Sequence, residues 1–438
     1  MSNSKTKILL FIYEVLKDNE IKSIRIDHLL TSRLTKHDFT DNDLRFIHKI
    51  IFGIIRNKRS LDYHIEKIFD GKYKKLLIKY KILLRMGLYQ IHFMNSVPDY
   101  ASVSTIVDLT KKIDKRKVSL INAVLRRLTN MNNIDDQQIN DFSIKYNHPD
   151  WMIDRWAKQF DRKTLVNVLN SNNREPIIWF RVNVLKTSYS KIESMLNKKN
   201  IFIQKSNLID NYFKSESSQK VLNSGLIKKD FISVQNPSNG LVVKLLNPSK
   251  KKIFFDGCSA PGGKMRYLNE LTGGKEIINS YDNDTKRIKI LKNYILKNDM
   301  TNINCQLKDL SKDQIERFDE GLIDVPCSGT GVISKRVDLR WRRKMSHLNE
   351  MVKIQTSIIS NVSNYVNDYG VLVYSTCSIE EEENWQIIDN FLNSNSNFEL
   401  DNAKKYIPEK FVDKNGCMSI LPQSDGMDGI FAARLIKK

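Results

Sequence analysis

The chain of 438 residues is longer than a single ordinary hydrophobic core requires, and its composition is that of a folded protein. Lysine and arginine number 71 against 50 aspartate and glutamate residues, a formal net charge of +21. No apolar run approaches the roughly 18 residues of a membrane-spanning helix, and the five cysteines form no CxxC pair, which argues against a disulfide scaffold and a zinc site.

The charge surplus favours a polyanionic partner, with nucleic acid first and an anionic membrane surface second. A lysine-rich source proteome would give the same surplus without such a partner. Widely spaced cysteines fit free thiols in a reducing cytoplasm, and the seven isolated histidines suggest no metal site. We therefore expect a cytoplasmic, multidomain protein that binds nucleic acid, with no metal and no membrane.

The first part of the chain, to about residue 130, has apolar residues at helical spacing throughout. In YKILLRMGLYQIHFM, for example, Leu84, Leu88 and Ile91 fall on one helical face. The polar stretch TNMNNIDDQQIND follows and has no hydrophobic period, which is typical of a linker. The sequence predicts an all-α bundle, and we place this domain at residues 1–140.

Residues 141–235 are mixed in pattern. WMIDRWAKQF and KIESMLNKKN predict helices, IIWFRVNVL predicts a strand, and KSESSQK, which has no periodicity, predicts a surface loop. We expect a linker and a small α+β subdomain here.

From residue 236 to 438 helical stretches alternate with short apolar strands, which is the signature of a parallel, doubly wound α/β sheet. The predicted strands are IFF (253–255), EIINSY (276–281), NINCQL (302–307), GLI (321–323) and GVLVYS (370–375).

The segment KKIFFDGCSAPGGKMRYLNEL predicts a strand, a tight glycine turn and a helix. Gly262 and Gly263 permit a close approach of the backbone to a ligand at the carboxyl end of the strand. The segment is neither GxGxxG nor a phosphate-binding loop ending in GKS or GKT, so neither a dinucleotide nor a nucleotide phosphate is favoured.

Aspartates stand at the ends of four successive predicted strands: Asp256, Asp282, Asp309 and Asp324. Each alone is more often a turn or cap residue than a ligand contact. Together they favour an adenosyl ligand without a pyrophosphate, and Asp282 could accept hydrogen bonds from both ribose hydroxyls.

Two cysteines follow neighbouring predicted strands, Cys327 in DVPCSGTGV and Cys377 in STCSIEEEEN. A single cysteine is usually a buried structural thiol. Two at one sheet edge suit methylation of a pyrimidine at carbon 5, where a thiolate adds to carbon 6 and makes carbon 5 nucleophilic. An acid near the ring and a second group that assists elimination would complete the site, and Asp324 and Cys327 could supply them.

These segments resemble the RsmB (also Sun or Fmu) group of bacterial ribosomal RNA cytosine methyltransferases. FDGCSAPGGK is similar to its cofactor loop, and DVPCSGTGV and YSTCSIEEEEN are similar to its two cysteine motifs. LRMGLYQIHFMNSVPDYASVSTIV and LINAVLRRL resemble its NusB-like helical domain, and DGMDGIFAARLIKK resembles its last strands. The resemblance covers nearly the whole chain and implies a Rossmann-like class I methyltransferase domain.

The resemblance also implies roles for individual residues. Cys377 would be the nucleophile and Cys327 would assist product release, whereas the Pro-Cys motif of DNA cytosine methyltransferases would assign attack to Cys327. S-adenosylmethionine would be held by Cys258, Ser259, Ala260, Pro261, Gly262, Gly263 and Lys264, with Asp282, Asp309 and Asp324. The implied substrate is one cytosine of 16S ribosomal RNA, of the cytosine 967 type, methylated by a monomer.

Three basic segments are candidates for RNA contact: KRVDLRWRRK (335–344), KYKKLLIKY (72–80) and KKIDKRK (111–117). The first directly follows the Cys327 motif, which favours RNA contact over a solvated helix start. Either of the other two could be an ordinary solvated face. Rival functions are methylation of transfer RNA, a NusB-like RNA-binding protein without catalysis, and a thiol redox enzyme, which the lack of CxxC disfavours.

Overall fold

The computed structural model describes residues 2–94, 97–131, 139–422 and 426–438. The chain forms two compact units, one made of Met1–Asn173 with Ile333–Arg343 and the other of Arg174–Val332 with Lys344–Lys438. None of the described helices is long and apolar enough to cross a membrane. Most of the predicted linker, residues 132–138, lies outside the described residues.

The first unit is helical, as predicted. Its helices are α1 (Ser2–Lys22), α2 (Ile26–Leu34), α3 (Asp41–Arg56), α4 (Lys58–Ile68), α5 (Ile78–Phe93), α6 (Asp99–Ile113), α7 (Val118–Thr129), α8 (Phe142–Lys145), α9 (Asp150–Gln159), α10 (Arg162–Asn173) and α16 (Leu339–Arg342).

Local sequence explains these helices. The hydroxyl oxygen of Thr40 caps α3 by accepting a hydrogen bond from the backbone amide of Asp43, and the Asp43 carboxylate accepts one from the backbone amide of Thr40. The apolar stripe of α3 is buried, as are Leu84 and Leu88 of α5. Because these faces meet in one core, packing rather than helix propensity stabilises the bundle.

The segment Ile333–Arg343 packs within this helical unit. Arg340 is 0% exposed and donates hydrogen bonds to the backbone oxygens of Asn147 (3.0 Å) and Asn172 (2.8 Å) and to Asn173 Oδ1 (2.6 Å). Trp341 Nε1 donates to the carbonyl oxygen of Ile55 at 2.7 Å. The prediction that this segment touches RNA is therefore wrong for Arg340, because a side chain with no exposed surface cannot reach a phosphate.

The second unit begins with a small sheet of order β2–β3–β1–β4, antiparallel throughout. It consists of β1 (Trp179–Val182), β2 (Gln204–Lys205), β3 (Tyr212–Lys214) and β4 (Ile232–Val234), with α11 (Tyr189–Asn197) and α12 (Ser218–Leu222). The α+β subdomain is thus confirmed as a fold, but the predicted helix WMIDRWAKQF, observed as α9, packs in the helical unit rather than in this subdomain. The predicted loop KSESSQK is wrong at its end, where Ser218 begins α12 because Val221 anchors that short helix in the core.

The rest of the unit is the predicted α/β domain. Its strands are β5 (Phe254–Gly257), β6 (Ile278–Asp282), β7 (Ile303–Leu307), β8 (Phe318–Asp324), β9 (Val366–Thr376), β10 (Phe398–Asp401), β11 (Met418–Ile420) and β12 (Ile430–Lys437). Its helices are α13 (Pro237–Leu246), α14 (Gly263–Leu271), α15 (Thr285–Lys297), α17 (Met345–Ser363) and α18 (Trp385–Ser394).

The large sheet has the order β10–β12–β9–β8–β5–β6–β7. The five strands from β9 to β7 are parallel, as predicted, whereas β12 runs antiparallel to β9 and pairs with β10 and β11. The carboxyl ends of these five parallel strands therefore meet at one edge. Asp256, Asp282 and Asp324 lie at the ends of β5, β6 and β8, and Asp309 follows β7. The two cysteines follow β8 and β9.

Candidate active site

The predicted cofactor loop joins β5 to α14. Cys258 has a left-handed backbone (φ 56°), as does Gly262 (φ 96°), where a Cβ atom would lie 2.5 Å from Leu291 Cδ1. The left-handed conformation therefore favours glycine at 262, and a Cβ atom there would also displace the end of the Leu291 side chain. Gln235, at the end of the small subdomain, donates from Nε2 to the carbonyl oxygen of Gly263 at 2.9 Å and so ties the loop to that subdomain.

Asp282 ends β6 and is buried. Its Oδ2 accepts a hydrogen bond from the backbone of Ala260 at 3.0 Å, and its Oδ1 accepts one from Asp284 at 3.0 Å. The carboxylate therefore braces the cofactor loop from the neighbouring strand. Its predicted contact with a ribose remains a prediction.

Asp309 follows β7 and is partly exposed. Its observed partners are local: Oδ1 accepts from the hydroxyl of Ser311 at 2.7 Å, and Oδ2 lies 3.3 Å from Lys312 Nζ. The hydrogen bond from Ser311 is the main cause of the lowered pKa of Asp309. Its role as a cofactor ligand also remains a prediction.

Asp256, on β5 below the loop, is fully buried. Its Oδ2 accepts from the hydroxyl of Ser259, whereas its Oδ1 has no hydrogen-bond partner among the described residues. Burial raises the pKa of Asp256 to about 7. A carboxylate oxygen without a partner beside a ligand loop suits a positively charged ligand, and S-adenosylmethionine carries both an ammonium and a sulfonium group, so these residues fit it.

Lys264, the first lysine of α14, reaches the end of β8. Its Nζ lies 2.6 Å from Asp324 Oδ2 and 2.9 Å from Asn239 Oδ1, and only 8% of its side chain is exposed. Asp324 also accepts from the hydroxyl of Ser375 at 3.0 Å, and 37% of its side chain is exposed. The structure thus presents a fixed and accessible carboxylate at the edge of the sheet.

The two predicted cysteines come together. Cys327 Sγ and Cys377 Sγ lie 3.2 Å apart, although fifty positions separate them in the sequence. The loops that carry them follow the paired parallel strands β8 and β9. The hydrogen bond between the two thiols, followed by burial, raises the pKa of Cys327 well above its usual range, so this sulfur retains its proton.

Glu383 holds both cysteine loops, a role that sequence reasoning missed. Its Oε1 accepts from the backbone of Ser328 at 2.7 Å and from Gln355 Nε2 at 2.9 Å, and Ser328 Oγ lies 3.0 Å from Ser378 Oγ. Each of these serines directly follows a cysteine. Burial raises the pKa of Glu383, which is 0% exposed. In the sequence it is hidden in the run EEEEN, which reads as solvated charge.

Comparisons with known proteins identify the same succession of domains that the structure shows. Family models match successive parts of the chain: the NusB family at residues 2–130, a ferredoxin-like domain of RsmF/B-like methyltransferases at 148–221, and 16S rRNA methyltransferase RsmB/F at 243–436. Each of these three parts of the chain is therefore similar to the corresponding domain of the RsmB/RsmF methyltransferases.

Two relatives of this family are similar over almost their whole length. A probable ribosomal RNA small subunit methyltransferase B of Bacillus subtilis (strain 168) is 29% identical over 429 residues, which are 94% of each chain. The ribosomal RNA small subunit methyltransferase B of Photorhabdus laumondii is 29% identical over 417 residues, 92% of each chain.

Solved structures show the same fold. The crystal structure of PH0851 has a TM-score of 0.82 at 24% identity and covers 99% of this chain and 98% of that one. NSun6 from Pyrococcus horikoshii, determined with SFG, has a TM-score of 0.58 at 18% identity and covers 66% of this chain and 98% of that one. The family model and the named relatives, rather than these structures, show that the chain is a methyltransferase of the S-adenosylmethionine-dependent class.

Proposed function

We propose that this protein methylates carbon 5 of one cytosine in 16S ribosomal RNA, of the cytosine 967 type, with Cys377 as the nucleophile. The observation that carries the proposal is the pair of thiols 3.2 Å apart at the ends of adjacent parallel strands, on the edge that also presents Asp324. The names of the relatives support ribosomal RNA as the substrate.

The residues of the chain would share the chemistry as follows. Cys377 Sγ adds to carbon 6 of the cytosine, and Asp324, oriented by Lys264, assists at the ring nitrogen. Cys327 Sγ lies 3.2 Å from Cys377 Sγ, and its pKa is raised well above the usual range, so it is placed to exchange a hydrogen bond with the attacking sulfur. After methyl transfer, loss of the carbon-5 proton allows the bond between sulfur and carbon 6 to break, and Cys327 would assist this release.

S-adenosylmethionine, when bound, supplies the electrophilic methyl group. We assign its binding to the loop Cys258–Lys264 and to Asp282, Asp309 and Asp324, with the buried Asp256 adding negative charge beneath the loop. The target base must leave its stack to reach the thiols, since carbon 6 is not accessible within a helix.

The test combines the protein, S-adenosylmethionine and protein-free 16S ribosomal RNA from a strain that lacks the gene, followed by bisulfite mapping of 5-methylcytosine. We expect one new methylated cytosine with the parent protein and none with Cys377→Ala. Cys327→Ala should accumulate protein bound covalently to RNA, because release is impaired. Cys305→Ala, a half-buried cysteine on β7, serves as the matched control and should behave like the parent.

Other outcomes would change the proposal. Methylation of transfer RNA but not of ribosomal RNA would retain the chemistry and overturn the substrate. A covalent adduct that forms with Cys377→Ala but not with Cys327→Ala would reverse the assignment of the two thiols.

A further inference from the structure

The helical unit carries a concentrated basic surface, here called the α5/α7 basic surface. It comes from two separate stretches of chain, one leading into α5 and the other joining α6 to α7. Its ten basic residues are Lys72, Lys74, Lys75, Lys79, Lys81, Lys111, Lys112, Lys115, Arg116 and Lys117. Eight of them are exposed, and Lys79 and Lys81 are half-buried.

Asp114 joins the two stretches. Its Oδ2 accepts a hydrogen bond from Tyr80 at 2.7 Å and lies 3.3 Å from Lys79 Nζ, and its Oδ1 accepts from Arg116 Nε at 3.1 Å. The start of α5 is thereby fixed against the turn between α6 and α7. Two basic segments that are about thirty residues apart in the sequence thus form one continuous surface.

The surface has a large excess of positive charge. The stretches 71–81 and 108–118 contain two carboxylates, Asp108 and Asp114, so their formal net charge is +8. Both carboxylates are already paired with lysine or arginine of the surface. Among the described residues, no carboxylate lies within 4.0 Å of the remaining lysines of the surface: Lys72, Lys74, Lys75, Lys81, Lys112, Lys115 and Lys117.

This arrangement is unfavourable for the fold itself. Helices α5 and α7 begin without an acidic residue in the first turn and without a side-chain cap, and lysines surround both starts. The positive end of each helix dipole favours negative charge, so basic residues at these positions repel the dipole and one another. Residues that oppose local stability in this way are expected where a ligand compensates for them.

We propose that the α5/α7 basic surface binds phosphate groups of the RNA substrate and so positions that RNA on the helical unit. The inference deepens the proposed function and rests on it. The aromatic rings within the stretches, Tyr73 and Tyr80, are buried, so stacking on bases has no platform here. Contacts to the backbone alone would give affinity and orientation without reading the sequence.

An anionic membrane surface is the weaker alternative. Leu77, 59% exposed, is the one exposed large apolar side chain of these two described stretches. One leucine provides little insertion into a bilayer, whereas dense cations without apolar anchors are typical of nucleic-acid backbone binding.

The experiment compares the parent with a quadruple variant, Lys74→Gln, Lys75→Gln, Lys115→Gln and Lys117→Gln, in binding to protein-free 16S ribosomal RNA transcribed in vitro. Affinity is measured at several salt concentrations between about 50 and 200 mM. Each lost phosphate contact lowers the slope of log affinity against log salt by about 0.7 to 0.9, so we expect a slope smaller by about 3 and affinity at least roughly tenfold lower at low salt.

A matched control makes the same change of charge elsewhere in the unit, in the turn after α2 and on α3, α9 and α10: Lys36→Gln, Lys49→Gln, Lys158→Gln and Lys163→Gln. These lysines are also exposed, and we expect this control variant to have the same slope of log affinity against log salt as the parent. The quadruple variant of the surface should melt at the parent temperature or above it, because it relieves repulsion at two helix starts. An equal loss of slope in both variants, or an unchanged slope in the first, would overturn the proposal.

Two further results separate this inference from the proposed function. If the parent methylates 16S ribosomal RNA fully and the quadruple variant has the parent's salt dependence of RNA binding, the proposed function stands and the proposed role of the α5/α7 basic surface is rejected. If the parent does not methylate the RNA but its RNA binding is weakened by the four lysine substitutions, the role of the surface stands and the proposed function is rejected. Loss of binding to phosphatidylserine vesicles, with RNA binding unchanged, would reassign the surface to a membrane.

Discussion

Among single residues, Asp256 is the one whose burial is expected to make cofactor binding depend on pH. Its carboxyl group is fully buried, one oxygen has no partner among the described residues, and burial raises its pKa to about 7. The protein without ligand therefore holds Asp256 largely protonated in mildly acidic solution. A positively charged cofactor favours the ionised form, so its binding must release this proton.

The affinity for S-adenosylmethionine should consequently rise with pH through 7. Between pH 5.5 and 7 we expect roughly a tenfold increase, because each pH unit below the pKa costs up to about tenfold. Asp256→Asn should bind more weakly and lose most of this dependence. Isothermal titration calorimetry at several pH values measures both effects, and Asp368→Asn, at an exposed carboxylate of β9, is the control. An equal pH dependence in Asp256→Asn would show that another group releases the proton.

At the scale of the elements, the loops after β8 and β9 form a single structure, because Glu383, which lies in the second loop, also binds the first. Removing this side chain would take away the acceptor of the buried backbone amide of Ser328 and one of the two acceptors of Gln355 Nε2, which also donates to the carbonyl oxygen of Pro326 at 2.9 Å. The loss is expected to destabilise the unit by about 2–4 kcal/mol and to let the thiols separate. Glu383 is thus a positioning residue, since it acts through its neighbours.

We predict that Glu383→Ala slows the cross-linking of Cys327 to Cys377 by diamide at least tenfold, while each thiol still reacts with iodoacetamide. Glu383→Gln, which retains an acceptor oxygen, should be intermediate, and Glu381→Ala, an exposed neighbour, should match the parent. A parental rate of cross-linking in Glu383→Ala would mean that the strands alone set the distance of 3.2 Å between the thiols.

The elements also show what the sequence can predict. The five central strands and the aspartates at the ends of four of them are predictable, because apolar runs and strand-end residues are local signals. The 3.2 Å approach of Cys327 to Cys377 could be expected from the order of the strands, since both loops open on one edge. The role of Glu383 could not, because its partners are remote in sequence and its motif reads as solvated charge.

At the scale of the whole molecule, the segment Ile333–Arg343 also could not be placed from the sequence alone. Its basic composition predicted an exposed RNA contact, yet it packs in the helical unit and buries Arg340 completely. The oxygens that receive the guanidinium belong to Asn147, Asn172 and Asn173, more than 160 positions away. Three hydrogen bonds of normal length offset the free-energy cost of burying this charge. No local sequence pattern predicts them.

Arg340→Met should therefore loosen the helical unit. The substitution leaves three acceptor oxygens unsatisfied and is expected to cost about 2–4 kcal/mol. Hydrogen–deuterium exchange should accelerate in residues 333–343 and in residues 147–173, which supply the acceptors. Arg336→Met, an exposed arginine of the same segment, should exchange like the parent. Unchanged exchange in Arg340→Met would show that Trp341 and the apolar contact of Val337 with the helical core are sufficient to hold the segment in place.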